Sequence, residues 1–440
     1  MLAIFSEKNS PRLDYVLELI FRDLLKLDFL LLHDRDEYLA LDKPKLTYGA
    51  NALSDEAFIA AGDLLFENGI TEKQHKIRQY RETKVLFGLS NERSVFPFDP
   101  FAMVFYLVSR YEEYSRIYEP DAHGRRKAGD LIMNRLGVAE RPVVNEIAYW
   151  IKEKLTGKYP ELEFGRQKFS FTPTYDIDMA FAHKGKGFVR TLGGSAKILL
   201  KLDVRQFMQK ASVLMGLSKD PYDNFRLQFK MHQELGFKAV YFVNLGDLSR
   251  YDKNVHWKNP SLNALLRKIS ENADIGIHPS YYSDADPQKI AVEKNRLEEI
   301  IQKPVTKSRQ HFLKLDFPDT YRNLIKNGIE EDYSNGFHSQ TGFRSGIAGP
   351  HFFYDLEEEK KTNLLVHPFA FMDTGMEDYM KLPPAEWKEY IKPMSCRVVN
   401  IKGHLMGIWH NYAMADSGEK KRAYIEILKW MKDCIDDQVC

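Results

Sequence analysis

One feature constrains this chain more than any other. From residue 168 onward, short apolar runs alternate with helical stretches, and the runs tend to end in a polar residue. Lys168–Thr172 alternates like a strand, Pro173 limits its continuation, and it leads into Thr174-Tyr175-Asp176-Ile177-Asp178. A long basic helical insertion is read over Ala182–Lys219. A helix over Asn224–Leu235 runs into Gly236, a C-terminal stop. Four further strands are read at Phe237–Asn244, Asp274–His278, Pro304–His311 and Ile329–Ser334. Helices at Ser261–Asn272, Pro287–Gln302 and Pro318–Asn327 separate them. Asn363–His367, Gly407–Asn411 and a closing helix over Glu419–Cys434 complete the series. Strands alternating with helices argue for a parallel sheet or barrel.

The first 165 residues have another texture. An amphipathic helix is read over Leu13–Leu25, strand-like pieces at Phe29–Leu32 and Lys45–Tyr48, and helices over Pro100–Tyr118 and Val143–Leu155. The basic turn Asp121–Lys127 lies between those helices. A length of 440 residues suits two or three domains. The expectation is therefore an accessory α/β domain over 1–165 and a barrel-type domain over 166–440.

Composition excludes more than it identifies. Lys plus Arg is 63 and Asp plus Glu 62, so no chain-wide basic field for nucleic acid exists. Aromatics reach 13% and are read mainly as core. The three cysteines, Cys396, Cys434 and Cys440, include no C-x-x-C pair. They imply no disulfide framework, and the two tail cysteines are read as incidental thiols. No basic stretch followed by an apolar stretch opens the chain. The apolar run Phe101–Val108 falls short of the ~20 residues of a spanning helix. These readings lead to an expectation of a soluble cytoplasmic protein of unassigned oligomeric state.

Asp176, Asp178, His278, Arg309, His311, Asp332 and His410 all fall at read strand ends. In a parallel barrel such ends meet at one face. Carboxylates and imidazoles there can hold Zn²⁺ or a similar ion, and an open metal position makes bound water acidic. Another carboxylate can take a proton and another histidine can give one, a set of parts suited to amide or ester hydrolysis. Each residue also has a plain structural reading. Asp178 can cap a helix, His278 can hold the turn before Pro279, and His410 can pack beside Trp409.

Six segments carry a resemblance: Thr174–Asp178, Ile277–Tyr281, Ser308–His311, Asp332–Phe337, Gly342–Gly346 and Trp409–Asn411. In this order they resemble the polysaccharide deacetylase superfamily (NodB homology, carbohydrate esterase family four). Ser109–Tyr114 and Arg141-Pro142 resemble the extra N-terminal domain of a bacterial branch of it. The resemblance implies a distorted (β/α)7 barrel and a metal-dependent site. By position it makes Asp176 the general base and Asp178 and His278 metal ligands. It makes Arg309 the residue orienting the base, Asp332 the residue positioning Arg309, and His410 the general acid. The metal, Zn²⁺ or else Co²⁺, Ni²⁺ or Mn²⁺, would activate the attacking water.

Two departures matter. Ile177 separates two aspartates that the family's first motif keeps adjacent, and Tyr282 stands where its second motif has another histidine. The third ligand is left among His311, Tyr282 and water. Tyr281, Tyr282, Trp409 and Arg344 are candidate substrate contacts, Arg344 for a phosphate or carboxylate. The leading expectation is an N-deacetylase of a sugar or glycan precursor, nucleotide- or lipid-linked. A non-catalytic glycan-binding protein on a degenerate barrel is the alternative. A hydrolase of another acyl group, such as formyl, shares the first reading's site.

Overall fold

The computed structural model describes residues 1–72, 75–186, 204–415 and 418–440. Most of the basic insertion read over Ala182–Lys219 lies outside the described residues. Its described end forms a helix at Val204–Leu214.

The N-terminal part is built on a four-stranded parallel sheet. Its strands are β1 (Leu2–Phe5), β2 (Phe29–Leu32), β3 (Lys45–Gly49) and β4 (Ala57–Ala60), in the order β2-β1-β3-β4. Ser10 caps the first helix by accepting from the Leu13 amide, and Pro11 opens that helix. The next long helix is shorter than its apolar pattern suggests, running only over Pro100–Val108. Arg110 turns left-handed (φ 54°) and a single tight turn, Tyr111–Tyr114, follows. Among the described residues a hairpin of β5 (Arg78–Tyr80) and β6 (Thr83–Val85) adds the remaining strands of this part.

The rest of the chain forms a nine-stranded sheet. Its strands are β7 (Ser170–Ile177), β8 (Val240–Val243), β9 (Asp274–Ile277), β10 (Lys307–Ser308), β11 (Glu331–Asp332), β12 (His351–Asp355), β13 (Lys360–Val366), β14 (Phe371–Met372) and β15 (His404–His410). The order is β12-β13-β11-β10-β9-β8-β7-β15-β14, parallel throughout except for the β12–β13 hairpin. The α/β class and the parallel pairing follow the sequence pattern. Among the described residues no ladder joins β12 to β14. Pro173 lies inside β7 rather than ending it. Its neighbour on one side is β15, and pairing with β8 begins only at Thr174, so no ladder bond to β8 is lost there.

Period-two alternation sends the side chains of this sheet to two faces. Tyr175, Ile177, Tyr241, Val243 and Trp409 join a large cluster with the flanking helices. Val240, Phe242, Met406 and Ile408 form a smaller cluster with Leu313, Tyr333, Phe369 and Met372. Gly276 allows β9 and β10 to approach: a Cβ there would lie 2.5 Å from the Lys307 carbonyl oxygen.

The two sheets share packing. Phe337, Ile347, Tyr354 and Leu356 belong to the N-terminal core. The Tyr15 hydroxyl donates to the Phe352 carbonyl (2.7 Å), and Asn145 exchanges two hydrogen bonds with the Ala348 backbone. Glu113 is clasped by Arg110 and Arg344. The cysteine reading needs correction: Cys396 and Cys440 form a disulfide with Cα atoms 5.2 Å apart, and Cys434 is a buried thiol. The helix at Trp387–Asn400 carries Cys396 next to the chain's end, a proximity that spacing 44 residues apart does not reveal. Among the described residues no helix is long and apolar enough to cross a membrane.

Candidate metal centre and acid–base pair

Parallel pairing brings the carboxyl ends of β7, β9, β10, β14 and β15 to one edge. Asp176 is in the last turn of β7 pairing and Asp178 just beyond it; His278 follows β9, Arg309 and His311 follow β10, and His410 ends β15. Asp176, Asp178, His278, His311 and His410 line one cavity of about 260 Å³.

Asp178 is its hub. Its Oδ1 lies 3.2 Å from His278 Nε2 and 3.6 Å from His311 Nε2, and its Oδ2 lies 4.0 Å from His410 Nε2. The ligand atoms of Asp178, His278 and His311 all fall within 4.8 Å of one another. Both imidazoles are aimed by what their other nitrogen meets. His278 Nδ1 lies 2.5 Å from the Arg309 carbonyl oxygen, and His311 Nδ1 lies 2.9 Å from Asp252 Oδ1. That leaves each Nε2 facing Asp178, as in histidines whose other ring nitrogen is held by an oxygen so that the free one can bind a metal. Asp178 Oδ1 is buried without a hydrogen-bond partner. A buried orphan oxygen between two oriented imidazoles fits a divalent cation with one carboxylate and two nitrogen ligands. Tyr282, the competing third ligand, is 42% exposed and rests against Tyr251 and Tyr281 outside this cluster. The structure brings His311 there instead.

Electrostatics follow the geometry. Burial would raise the Asp178 carboxyl, but the facing imidazoles hold it well below the carboxylate range. Burial would lower His311, but Asp178 and Asp252 outweigh it and push the imidazole up to about 9. Asp252 is itself held down to about 2: burial opposes this, and bonds from His311, Ser249 and the Tyr281 amide prevail.

Asp176 flanks the cluster, its Oδ2 3.8 Å from His278 Nε2. Its Oδ1 accepts from Arg309 Nη1 at 2.8 Å. Arg309 is fully buried; its Nη2 donates to Thr174 Oγ1 and its Nε to the Tyr333 carbonyl, and its guanidinium sits 4.5 Å from the Phe242 ring centroid. Asp332, expected to position Arg309, makes no hydrogen bond to it. The Asp332 carboxylate accepts from Ser308 Oγ, the Ser334 amide and Ser334 Oγ, each at 2.9 Å, while Arg309 spends its donors elsewhere. Asp332 reaches the 309–311 segment only indirectly, because Ser334 Oγ accepts from the Gln310 amide. Burial raises the Asp332 carboxyl above its ordinary value.

His410 stands across the cavity with a carboxylate that sequence reasoning missed. Asp373, fully buried after β14, takes the His410 amide at 2.7 Å and faces His410 Nδ1 at 2.6 Å. Burial lowers His410, but Asp373, with Asp178 and Asp176 behind it, pushes the imidazole up to about 10. Asp373 ends the apolar run Phe369–Met372, so the strand-end rule used elsewhere could have found it. Asp252 lies in a loop and offered no such signal.

The expected substrate contacts fare differently. Trp409 is 1% exposed and packs on Phe371, Trp387 and Tyr424, because strand alternation turns it away from its neighbour His410. Arg344 is committed to Glu113. Tyr281 is buried, stacked 3.9 Å from Tyr251, and Tyr282 lies beside both. None of the four lines the cavity, whose outer walls are instead Arg125, Gln310, Phe312, His338, Tyr379 and Tyr412.

Residues 2–160 match a family model described as "Family of unknown function (DUF7033)". No curated protein matches the chain. Among solved structures, the chain is similar to a protein from Mycobacterium smegmatis assigned as a polysaccharide deacetylase, at 13% identity and TM-score 0.39, over 60% of this chain and 84% of that one. It is similar to the polysaccharide deacetylase Bc1974 from Bacillus cereus at 11% identity and TM-score 0.30, over 61% and 88%. It is also similar to TK1436, a GH57 branching enzyme from Thermococcus kodakaraensis, at 10% identity and TM-score 0.35, over 62% and 69%.

Proposed function

We propose that this chain is a metal-dependent hydrolase that removes an N-acetyl or similar acyl group from an amino sugar or glycan precursor. One observation carries the reading: the Asp178–His278–His311 cluster shares its cavity with a carboxylate on one flank and a carboxylate-backed histidine on the other. Asp178, His278 and His311 would hold the cation, Zn²⁺ first, with Co²⁺, Ni²⁺ and Mn²⁺ as alternatives. A cation bound there supplies Lewis acidity, which makes water acidic and favours negative charge on an acyl oxygen.

The chain's own groups account for the proton transfers. Arg309 occupies Asp176 Oδ1, which leaves Oδ2 turned toward the cluster and able to accept a proton from the attacking water. Asp373 keeps His410 protonated through neutral pH, so its Nε2 has a proton to give a departing amine. Gln310 Nε2 is buried without a hydrogen-bond partner and Gln310 lines the cavity, which suits a donor to a substrate oxygen. The alternative of a non-catalytic glycan-binding protein rested on the histidine replaced by Tyr282. His311 standing beside Asp178 and His278 offers a second imidazole in place of that histidine, which supports the hydrolase reading.

The test joins metal content with acyl release. The folded wild-type chain should bind one divalent ion and release acetate from N-acetylated amino sugars, free, nucleotide-linked or lipid-linked. Asp176→Asn should keep the ion and lose about 10²-fold or more in turnover. A folded wild-type chain that takes up no Zn²⁺, or acetate release that survives Asp176→Asn unchanged, would sink the reading.

A further inference from the structure

His311 lies just beyond β10, where the backbone leaves the ladder; the His311 amide donates to the Pro279 carbonyl at 3.3 Å and the Gln310 amide to Ser334 Oγ at 2.9 Å. The strand before it, β10, pairs through only Lys307 and Ser308. The next two residues, Phe312 (φ 60°) and Leu313 (φ 53°), are both left-handed without being glycine. Side-chain-bearing residues take that conformation at a cost and keep it only where their surroundings enforce it.

Two of the contacts that hold this turn, those of Arg125 and His123, come from the other part of the molecule. Arg125 Nη1 donates to the Phe312 carbonyl at 2.8 Å. The Phe312 ring lies 4.8 Å from the His123 ring and 5.2 Å from Tyr281. Arg125 is itself fixed. Its Nε donates to Asp121 Oδ2 at 2.8 Å and its Nη2 to the Tyr379 hydroxyl at 3.1 Å, and only 6% of the side chain is exposed. Asp121 Oδ1 accepts from the His123 and Arg125 amides, and a bridge between Pro120 and Arg126 closes the loop. The basic turn read in the sequence is thus a rigid finger, lying within the 2–160 stretch and ending at the cavity wall.

We propose that the N-terminal part of this chain is a working component of the metal centre: Arg125 clamps the Phe312 carbonyl and so fixes the aim of His311. Arg125 is a positioning residue, since it acts through the backbone next to a ligand. The inference rests on the metal reading above but concerns a different residue and a different fold element. Loss of the clamp need not undock the two parts, because Glu113–Arg344, Asn145–Ala348 and Tyr15–Phe352 still join them.

The experiment uses the full chain, with Zn²⁺ titration for affinity, the Co²⁺ visible spectrum for coordination, and hydrogen exchange on metal-free protein. Arg125→Ala should weaken Zn²⁺ binding 10- to 100-fold, the range for outer-shell partners. It should also alter the Co²⁺ bands and speed exchange of the Leu313 amide, which donates to Gln310 O at 2.9 Å. Arg125→Lys should recover part of the affinity. Arg116→Ala, which removes an exposed cross-contact to Asp319, should change none of these. A folded Arg125→Ala with wild-type Zn²⁺ affinity, Co²⁺ spectrum and Leu313 exchange overturns the clamp. If Arg125→Ala does not fold, Arg125→Met, which keeps the apolar stem and removes every donor, takes its place, and wild-type values in it overturn the clamp equally. A wild-type chain that binds neither ion overturns the metal reading and its consequence for affinity. Leu313 exchange then still judges the clamp on the backbone.

Discussion

Glu293 gives the most direct quantitative test of the structure behind the site. It lies on the helix Gln288–Ile301, 3% exposed, and its carboxyl supports the loop after His278. Oε2 accepts from the Ser280 amide at 2.9 Å and Oε1 from Ser280 Oγ at 2.5 Å. Burial raises this carboxyl most, the Ser280 bonds oppose it, Asp252 adds to it, and it ends at about 7 against an ordinary 4.5. The native state therefore keeps a proton that the unfolded chain releases between those two values. Stability from this group is complete below pH 4.5 and is lost as pH rises to about 7. A gap of about 2.5 at about 1.4 kcal/mol per pH unit amounts to about 3–4 kcal/mol in full, of which the part lost above pH 5 is about 2–3 kcal/mol. Glu293→Gln keeps an oxygen for the Ser280 amide and a donor for a turned hydroxyl, and it has no charge to bury. In urea unfolding of the chelated protein, followed by tryptophan fluorescence, the variant should match wild type at pH 5. At pH 8.5 it should exceed wild type by about 2–3 kcal/mol. Equal stability of the two proteins at pH 8.5 would refute the buried carboxyl and the linkage drawn from it.

Three further outcomes are expected. Arg309→Leu leaves Asp176 buried without its partner and should cost about 3–5 kcal/mol in urea unfolding; adding Asp176→Leu should return much of that loss, a double-mutant coupling that independent sites would not show. Gly276→Ala forces a methyl against the Lys307 carbonyl and should cost about 1–3 kcal/mol or more, read as a lowered melting midpoint. Asp373→Asn should leave Zn²⁺ content intact, cut turnover about 10²-fold, and bring the alkaline limb of the pH–rate profile down from near 10, since the charge that holds His410 protonated is gone.

Much of the fold was legible because the strands of a parallel sheet are buried on both faces. Val240–Val243 is apolar at every position, and Gly236 stops the helix before it, so the element and its boundary both show in the sequence. β10 and β11 were read too long, over Pro304–His311 and Ile329–Ser334, because a strand-like stretch in the sequence does not show how much of it is paired: two residues of each are. The β12–β13 hairpin went unread as a hairpin. Its second strand, Lys360–Val366, is polar for most of its length and turns apolar only near Leu364. The helix from Pro100 was read too long for the opposite reason, because nothing in the pattern marks Arg110 as left-handed.

The site divides along the same line. Ligand candidates at strand ends were visible, since pairing alone sends Asp176, His278, Arg309 and His410 to one edge. Their partners were not, since Asp252 and Arg125 arrive on loops whose conformation no periodicity encodes. Those partners also divide the histidines by task. His311 and His410 both turn Nδ1 toward a carboxylate, so a carboxylate partner by itself does not separate ligand from acid. Position does. His311 Nε2 lies 3.6 Å from Asp178 Oδ1, the same oxygen that His278 approaches, whereas His410 Nε2 stands 4.0 Å from the other oxygen. His410 is also tied twice to Asp373, through its ring and its amide, which fixes it on its own strand beside the cluster. Under the proposed reading, one carboxylate faces the two imidazoles that would hold the cation with one oxygen, and the imidazole that would give the proton with the other. A substrate amide placed between them would meet the cation and the proton together.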